Sequence, residues 1–181
     1  MTPRLSLLSF LGGALALVLV GCDEQDVAAL PSPREPTADT VGNFCGMYLG
    51  EHPGPKGQIF LADEDEPLWF PSVRDTIAYL MLPEREADAI AIYVNDMARA
   101  TNWETPEPGT WVAATEAWYV VGSDRTGGMG LPEVVPFSEE AAADEFAARH
   151  GGHVMRLADV PPEEIFELGA ADTGRTHPAG S

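Results

Sequence analysis

An α+β chain built from two tandem ββαβ units is what this sequence predicts. Three observations carry that reading. Short apolar runs are bounded by Gly, Pro and acidic turns, each half holds one stretch with a helix-like pattern, and the order of elements repeats on either side of about residue 97. Both units follow a lipoprotein-type signal peptide and a flexible spacer.

The first unit is expected over about 43–97. Gln58-Ile59-Phe60-Leu61-Ala62 reads as a strand, Asp63 to Glu66 as an acidic turn, and Leu68-Trp69-Phe70 as a second strand. Ser72 caps a helix with Asp75 three residues on, as in a capping box. Val73, Ile77, Leu80 and Met81 then fall on one helical face. Pro83 stops the helix, and Ala89-Ile90-Ala91-Ile92-Tyr93-Val94 returns as a strand.

The second unit is expected over about 98–168. Ala117-Trp118-Tyr119-Val120-Val121 is a strand, Gly122 to Gly130 a glycine-rich loop, and Glu133-Val134-Val135-Pro136 a short second strand. Ser138 begins a helix whose first turn holds Glu139 and Glu140, which suits the helix dipole. Gly151-Gly152 ends it, His153-Val154-Met155-Arg156-Leu157 is the last strand, and Pro161-Pro162-Glu163-Glu164 opens a terminal helical turn. Met81 and Met155 belong to apolar faces and Met97 follows a strand. The tryptophans Trp69, Trp103, Trp111 and Trp118 are read as structural.

Residues 1–21 are expected to be removed. Arg4 precedes an apolar run from Leu5 to Val20, which ends in Leu19-Val20-Gly21-Cys22, similar to a bacterial lipobox. The run falls short of the roughly 20 residues that span a bilayer. Cleavage before Cys22 and lipid on its sulfur would tether the mature chain to a membrane without a spanning helix. Asp23 after the lipidated cysteine points to the inner membrane. Residues 22–42, polar and rich in Pro, are read as lipidated cysteine and flexible linker. Residues 43–168 are read as a metal-binding domain, and 169–181 as a disordered tail in which His177 is incidental.

Charge narrows the partners. The chain has 29 acidic and 10 basic residues, a formal −19, and loses one more positive charge with Arg4. Such a surface repels phosphate backbones, so no nucleic acid is expected. It also favours a domain held off anionic lipid.

Cysteine usage narrows the chemistry. Lipidation takes Cys22 and leaves Cys45 as a lone thiol in an oxidising compartment, with no partner for an internal disulfide. Cys45, Met47 and His52 lie within eight residues, on a segment rich in Gly and Pro. Thiolate and thioether are soft ligands that select Cu(I), and imidazole tolerates it. An extended backbone would point Cys45 and Met47 to one side. The alternative is a Cys and a Met lining a core. Met129, between Gly128 and Gly130, is either a third soft ligand or a core filler.

Cys45-Gly46-Met47, His52-Pro53-Gly54-Pro55-Lys56, Gly127-Gly128-Met129-Gly130 and Val135-Pro136-Phe137 occur in that order. Together they resemble the NosL family, the copper-binding accessory lipoproteins of nitrous-oxide reductase maturation. The resemblance covers about 43–168. It implies a periplasm-facing Cu(I) carrier that is not an enzyme. Delivery would pass through a membrane-bound ABC-type maturation complex to the reductase, and a homodimer stays open. It implies Cys45, Met47 and Met129 as sulfur ligands, with the nitrogen from His52, His150 or His153. The family fold, two ββαβ units akin to part of organomercury lyase, matches the repeat.

Ligand softness argues against zinc, for which one thiolate with two thioethers is a poor site. It argues equally against a blue-copper carrier, which wants two His and one Cys with a weak axial Met. Two other functions compete: a single-cysteine enzyme acting on thiols or organometals, and a metal-free structural lipoprotein. The first needs a base close to Cys45, for which only Glu51 or His52 is near in sequence. The second leaves Met129 between glycines without a purpose.

Overall fold

A computed structural model describes residues 29–84, 87–128 and 130–166. The expected signal, Cys22, the 169–181 tail and Met129 itself lie outside them. Two antiparallel sheets carry the repeat. Strands β1 (Gly57–Leu61), β2 (Leu68–Phe70), β3 (Ala89–Asn95) and β4 (Trp111–Ala113) form the first, in the order β2-β1-β3-β4. Strands β5 (Trp118–Val121), β6 (Val135–Phe137) and β7 (His153–Arg156) form the second, in the order β6-β5-β7. Helix α1 (Val73–Met81) lies between β2 and β3, and α2 (Glu140–His150) between β6 and β7. In each unit the first strand is central, with the hairpin partner on one side and the post-helix strand on the other. The repeat read from the sequence is therefore a repeat of topology. Strand β4 was not expected, and neither was the three-residue helical turn at Leu49–Glu51.

Alternation along the strands fixes what each sheet face covers. In β5, Tyr119 and Val121 join the cluster of Val73 and Ile77 from α1 and Ile165 from α3 (Pro162–Phe166). Val120 faces the other way, into Val135, Phe137, Ala143 and Phe146 beneath α2. The second sheet is thus apolar on both faces, and α1 of the first unit packs on it. In β1, Ile59 and Leu61 pack with Phe70 and Tyr79, while Gln58 and Phe60 face away.

Residues 31–40, read above as spacer, cover that second face of the first sheet. Gln58 is fully buried and its side-chain amide meets the Arg34 backbone twice: Arg34 N–H donates to Oε1 at 2.9 Å and Nε2 donates to Arg34 O at 3.0 Å. The Tyr93 hydroxyl donates to Pro31 O, and the Arg34 guanidinium stacks on Phe60. Trp111 Nε1 and Gly109 N–H both donate to the Glu35 carboxylate. This strap leads directly into the Cys45 loop.

Both helices have physical stops. The Ser72 hydroxyl accepts from Asp75 N–H at the start of α1, as the capping pattern predicts. At the end of α2, Gly151 adopts φ +72 and its N–H closes on Ala147 O. Ser138 does not cap α2. Its N–H donates to buried Asp96 Oδ1, and Met97 N–H donates to Pro136 O, so these bonds join the two units. Met97, Met81 and Met155 are partly buried against the cores.

Gly57 is where β1 meets α1. A side chain there would overlap Thr76 Oγ1 and come within 2.8 Å of its Cγ2, while Thr76 is held by its bond to Ser72 O. Gly57→Ala is expected to destabilise the fold by about 1–3 kcal/mol, with part of the loss restored by adding Thr76→Ala. Urea unfolding of Gly57→Ala, Thr76→Ala and the double variant checks this; additive losses would contradict the contact.

Candidate metal centre

Cys45 and Met47 sit on a tight turn rather than the extended segment expected. Val41 pairs with Tyr48, Gly42 N–H donates to Met47 O, and Gly46 N–H returns to Gly42 O. Gly46 takes φ +65 in open space, a left-handed conformation that costs glycine little. Asn43 N–H donates to Trp69 O, and Phe44 packs edge-on against Phe70, so the turn is fastened to β2. Cys45 is half-buried and Met47 is 40% exposed. A Cβ on Gly42 would stand 3.0 Å from Cys45 Sγ and 3.0 Å from Pro71 Cδ, so the thiol and Pro71 share the space above Gly42.

Pro71 also touches the glycine-rich loop of the second unit. That loop is closed by pairing of Thr126 with Pro132 and by Gly127 N–H donating to Leu131 O. A Cβ on Gly128 would lie 2.9 Å from Pro71 O and 2.6 Å from His52 Cβ. The fold thus brings the Cys45 turn, His52 and the backbone neighbours of Met129 around one proline. It does so although 76 residues separate His52 from Gly128.

His52 is 7% exposed, and its Nδ1 lies 2.8 Å from Gly128 O. A carbonyl oxygen only accepts, so Nδ1 carries the proton, and in the neutral ring Nε2 then presents the lone pair. That Nε2 is buried and has no hydrogen-bond partner among the described residues. A buried, unsatisfied nitrogen is costly unless it has a task. Metal-bound imidazoles commonly have their other ring nitrogen held by a carbonyl in this way.

His150 and His153 differ. His150 Nδ1 meets Asp124 Oδ1 at 2.9 Å, and its ring lies on Phe146. His153 is exposed at the start of β7, paired with Val121. Among the described residues no three of His, Cys, Asp and Glu converge on one point. Thiolate, thioether and imidazole, the side chains of Cys45, Met47 and His52, are as a set the donors of a soft ion.

Sequence reasoning missed the buried charges beneath these loops. Lys56 Nζ donates to His52 O at 2.6 Å and Gly54 O at 2.5 Å, closing the His-Pro-Gly-Pro segment into a loop. Burial pulls the Lys56 ammonium down to about 8, against the raising influence of Glu133 and Glu104. Burial also raises Asp75. Glu133 is fully buried. Its Oε1 accepts from Arg74 N–H and Val134 N–H, while Oε2 has no partner among the described residues. Burial pushes its carboxyl up to about 8. The one signal in the sequence is a carboxylate next to the apolar run Val134-Val135.

From an ordinary value of 4.5, the Glu133 carboxyl is raised on folding. Between that value and about 8 the folded chain keeps a proton that the unfolded chain has released. The contribution of this group to stability therefore falls as pH rises through the window. Glu133→Gln is expected to flatten that dependence. Urea midpoints at about pH 5.5 and about pH 8 should differ more in wild type than in the variant; equal differences would contradict the assignment.

With the geometry in place, comparison with known proteins is direct. A profile of the NosL family matches residues 33–165. The copper-binding lipoprotein NosL of Achromobacter cycloclastes is 49% identical over 168 residues, covering 92% of this chain and 86% of the relative. The copper-binding lipoprotein NosL of Stutzerimonas stutzeri is 32% identical over 166 residues, covering 90% and 84%. The crystal structure of the copper chaperone NosL from Shewanella denitrificans superposes with a TM-score of 0.67 at 31% identity, covering 71% of this chain and 95% of that one. In sequence and in fold, the chain belongs to the NosL family.

Proposed function

We propose that this chain is a lipid-anchored, periplasm-facing carrier that binds one Cu(I) ion and delivers it for assembly of the copper centres of nitrous-oxide reductase. The single observation that carries the reading is the His52 hydrogen bond to Gly128. It holds a buried imidazole whose Nε2 has no partner among the described residues, against the glycine-rich segment that in sequence carries Met129. The proposed ligands are Cys45, Met47, Met129 and His52. Of the three histidines weighed, His52 alone combines burial with an unpaired ring nitrogen among the described residues, which favours it over His150 and His153.

Copper here is cargo, and the donor set suits cargo. One thiolate offsets the charge of Cu(I), and thioethers add softness without charge. A half-buried thiol and an exposed Met47 leave the ion within reach of a receiving protein. The names of the relatives support copper binding, and the lipobox-like Leu19-Val20-Gly21-Cys22 supports a lipid on Cys22, with Asp23 favouring the inner membrane. The ABC-type maturation complex is the proposed route of delivery.

Cys45 supplies the only thiolate once Cys22 is lipidated. Cys45→Ser is expected to lose at least about two orders of magnitude in Cu(I) affinity, roughly 2.7 kcal/mol, in competition with a Cu(I)-specific chelator. Met129→Ala should still bind, less tightly, yet leave the reductase short of copper in cells. Wild-type affinity in Cys45→Ser would refute the site. A fully loaded reductase beside Met129→Ala would remove that residue from delivery.

Cys22→Ser should give an uncleaved, mislocalised precursor. Normal processing of that variant would overturn the lipid anchor.

A further inference from the structure

Glu133 is harder to explain than the ligands. Burying a carboxyl costs free energy, and an apolar side chain of the same size would serve a core at least as well. Its contacts show what it does instead. Glu133 follows the Thr126–Pro132 pairing that closes the glycine-rich loop, and its N–H donates to Arg125 O at 2.9 Å across the base of that loop. The side chain turns back beneath the loop. Oε1 is held by the N–H groups of Arg74, in the first turn of α1, and of Val134. Oε2 fills the place where a side chain on Gly127 would begin, with Cδ at 2.7 Å from that point. The next residue, Gly128, lies against His52 and Pro71 and offers His52 its carbonyl.

A chain of contacts thus runs from α1 through the Glu133 carboxyl to Gly127, to the Gly128 carbonyl, and to the imidazole. We propose that Glu133 is a positioning residue for His52: its carboxyl props Gly127 so that the Gly128 carbonyl holds the Nδ1 proton and leaves Nε2 as the free donor. The copper consequence rests on the reading of His52 as a ligand given above. The positioning itself does not, because it is argued from protein contacts alone.

Burial keeps the Glu133 carboxyl protonated near neutral pH, so glutamine copies both its shape and its charge. Glutamine keeps an acceptor for the two N–H groups and an atom against Gly127. Alanine keeps neither. Gly127→Ala makes the same test from the other side, by displacing the carboxyl.

The experiment is nitrogen-15 NMR of the imidazoles in the metal-free folded domain, with the His52 signals assigned from His52→Gln. Wild type and Glu133→Gln should show His52 in the Nδ1–H tautomer. Glu133→Ala and Gly127→Ala should show a tautomer mixture, with their folding verified by indole N–H dispersion. Cu(I) affinity should fall about 10- to 100-fold in Glu133→Ala, the range for loss of a group that orients a ligand. It should change far less when Glu133→Ala is added to His52→Gln, because the route through His52 is already gone.

A wild-type His52 tautomer in Glu133→Ala would overturn the proposal. So would an equal affinity loss with and without His52, which would mark a merely structural role. If the tautomer shifts as expected but His52→Gln binds Cu(I) as wild type does, the positioning stands and His52 falls as a ligand.

Discussion

One hydrogen bond, from His52 Nδ1 to the carbonyl of Gly128, ties the two units together beside the glycine-rich loop. Its own free energy is modest, about 1 kcal/mol for a typical buried bond. Its weight lies in what must be true for it to form. Gly128 must lack a side chain, because His52 Cβ and Pro71 O occupy the space. The His52 loop must be closed, which Lys56 does by donating to two of its carbonyls. The glycine-rich loop must sit over α1, where Glu133 underlies Gly127. The Cys45 turn must reach Pro71, which the Asn43 and Phe44 contacts to β2 arrange.

The duplication explains the scaffold but not the site. Both units share strand order and the place of the helix, so each buries a similar set of alternating apolar residues. The functional loops are not equivalent between them. The first unit contributes the segment that precedes β1, and the second contributes the β5–β6 connection, which in the first unit is a short acidic turn. A site at the seam of two packed units is held by both cores, yet its turn on one side and glycine loop on the other are surface elements.

Periodicity made the regular elements legible, and the capping Ser72 and terminal Gly151 made the helix ends legible. Strand β4 escaped because Trp111-Val112-Ala113 is three residues long and follows a Pro-rich stretch. It exists by pairing at the edge of β3, which no local pattern announces. The strap escaped for another reason. Its residues are polar or Pro apart from Ala38, and it is held by side chains of Gln58 and Tyr93 reading its backbone, an interaction without an apolar signature. The softness of Cys45, Met47 and Met129 was visible in the residues themselves, whereas the shape of the Cys45 turn was not, because Gly46 permits either an extended or a left-handed backbone. The different surroundings of His52, His150 and His153 come from tertiary contacts. Burial of His52 against a carbonyl from a residue 76 positions away cannot be read from spacing.

The central claim is that sulfur donors and the His52 Nε2 together bind the copper ion. X-ray absorption of the Cu(I)-loaded domain tests it most directly, with His52→Gln, His150→Gln and His153→Gln measured beside wild type. The account predicts a sulfur-dominated shell with one imidazole, whose ring scattering disappears in His52→Gln and persists in the other two. A shell without sulfur, or imidazole scattering that survives His52→Gln, would contradict it.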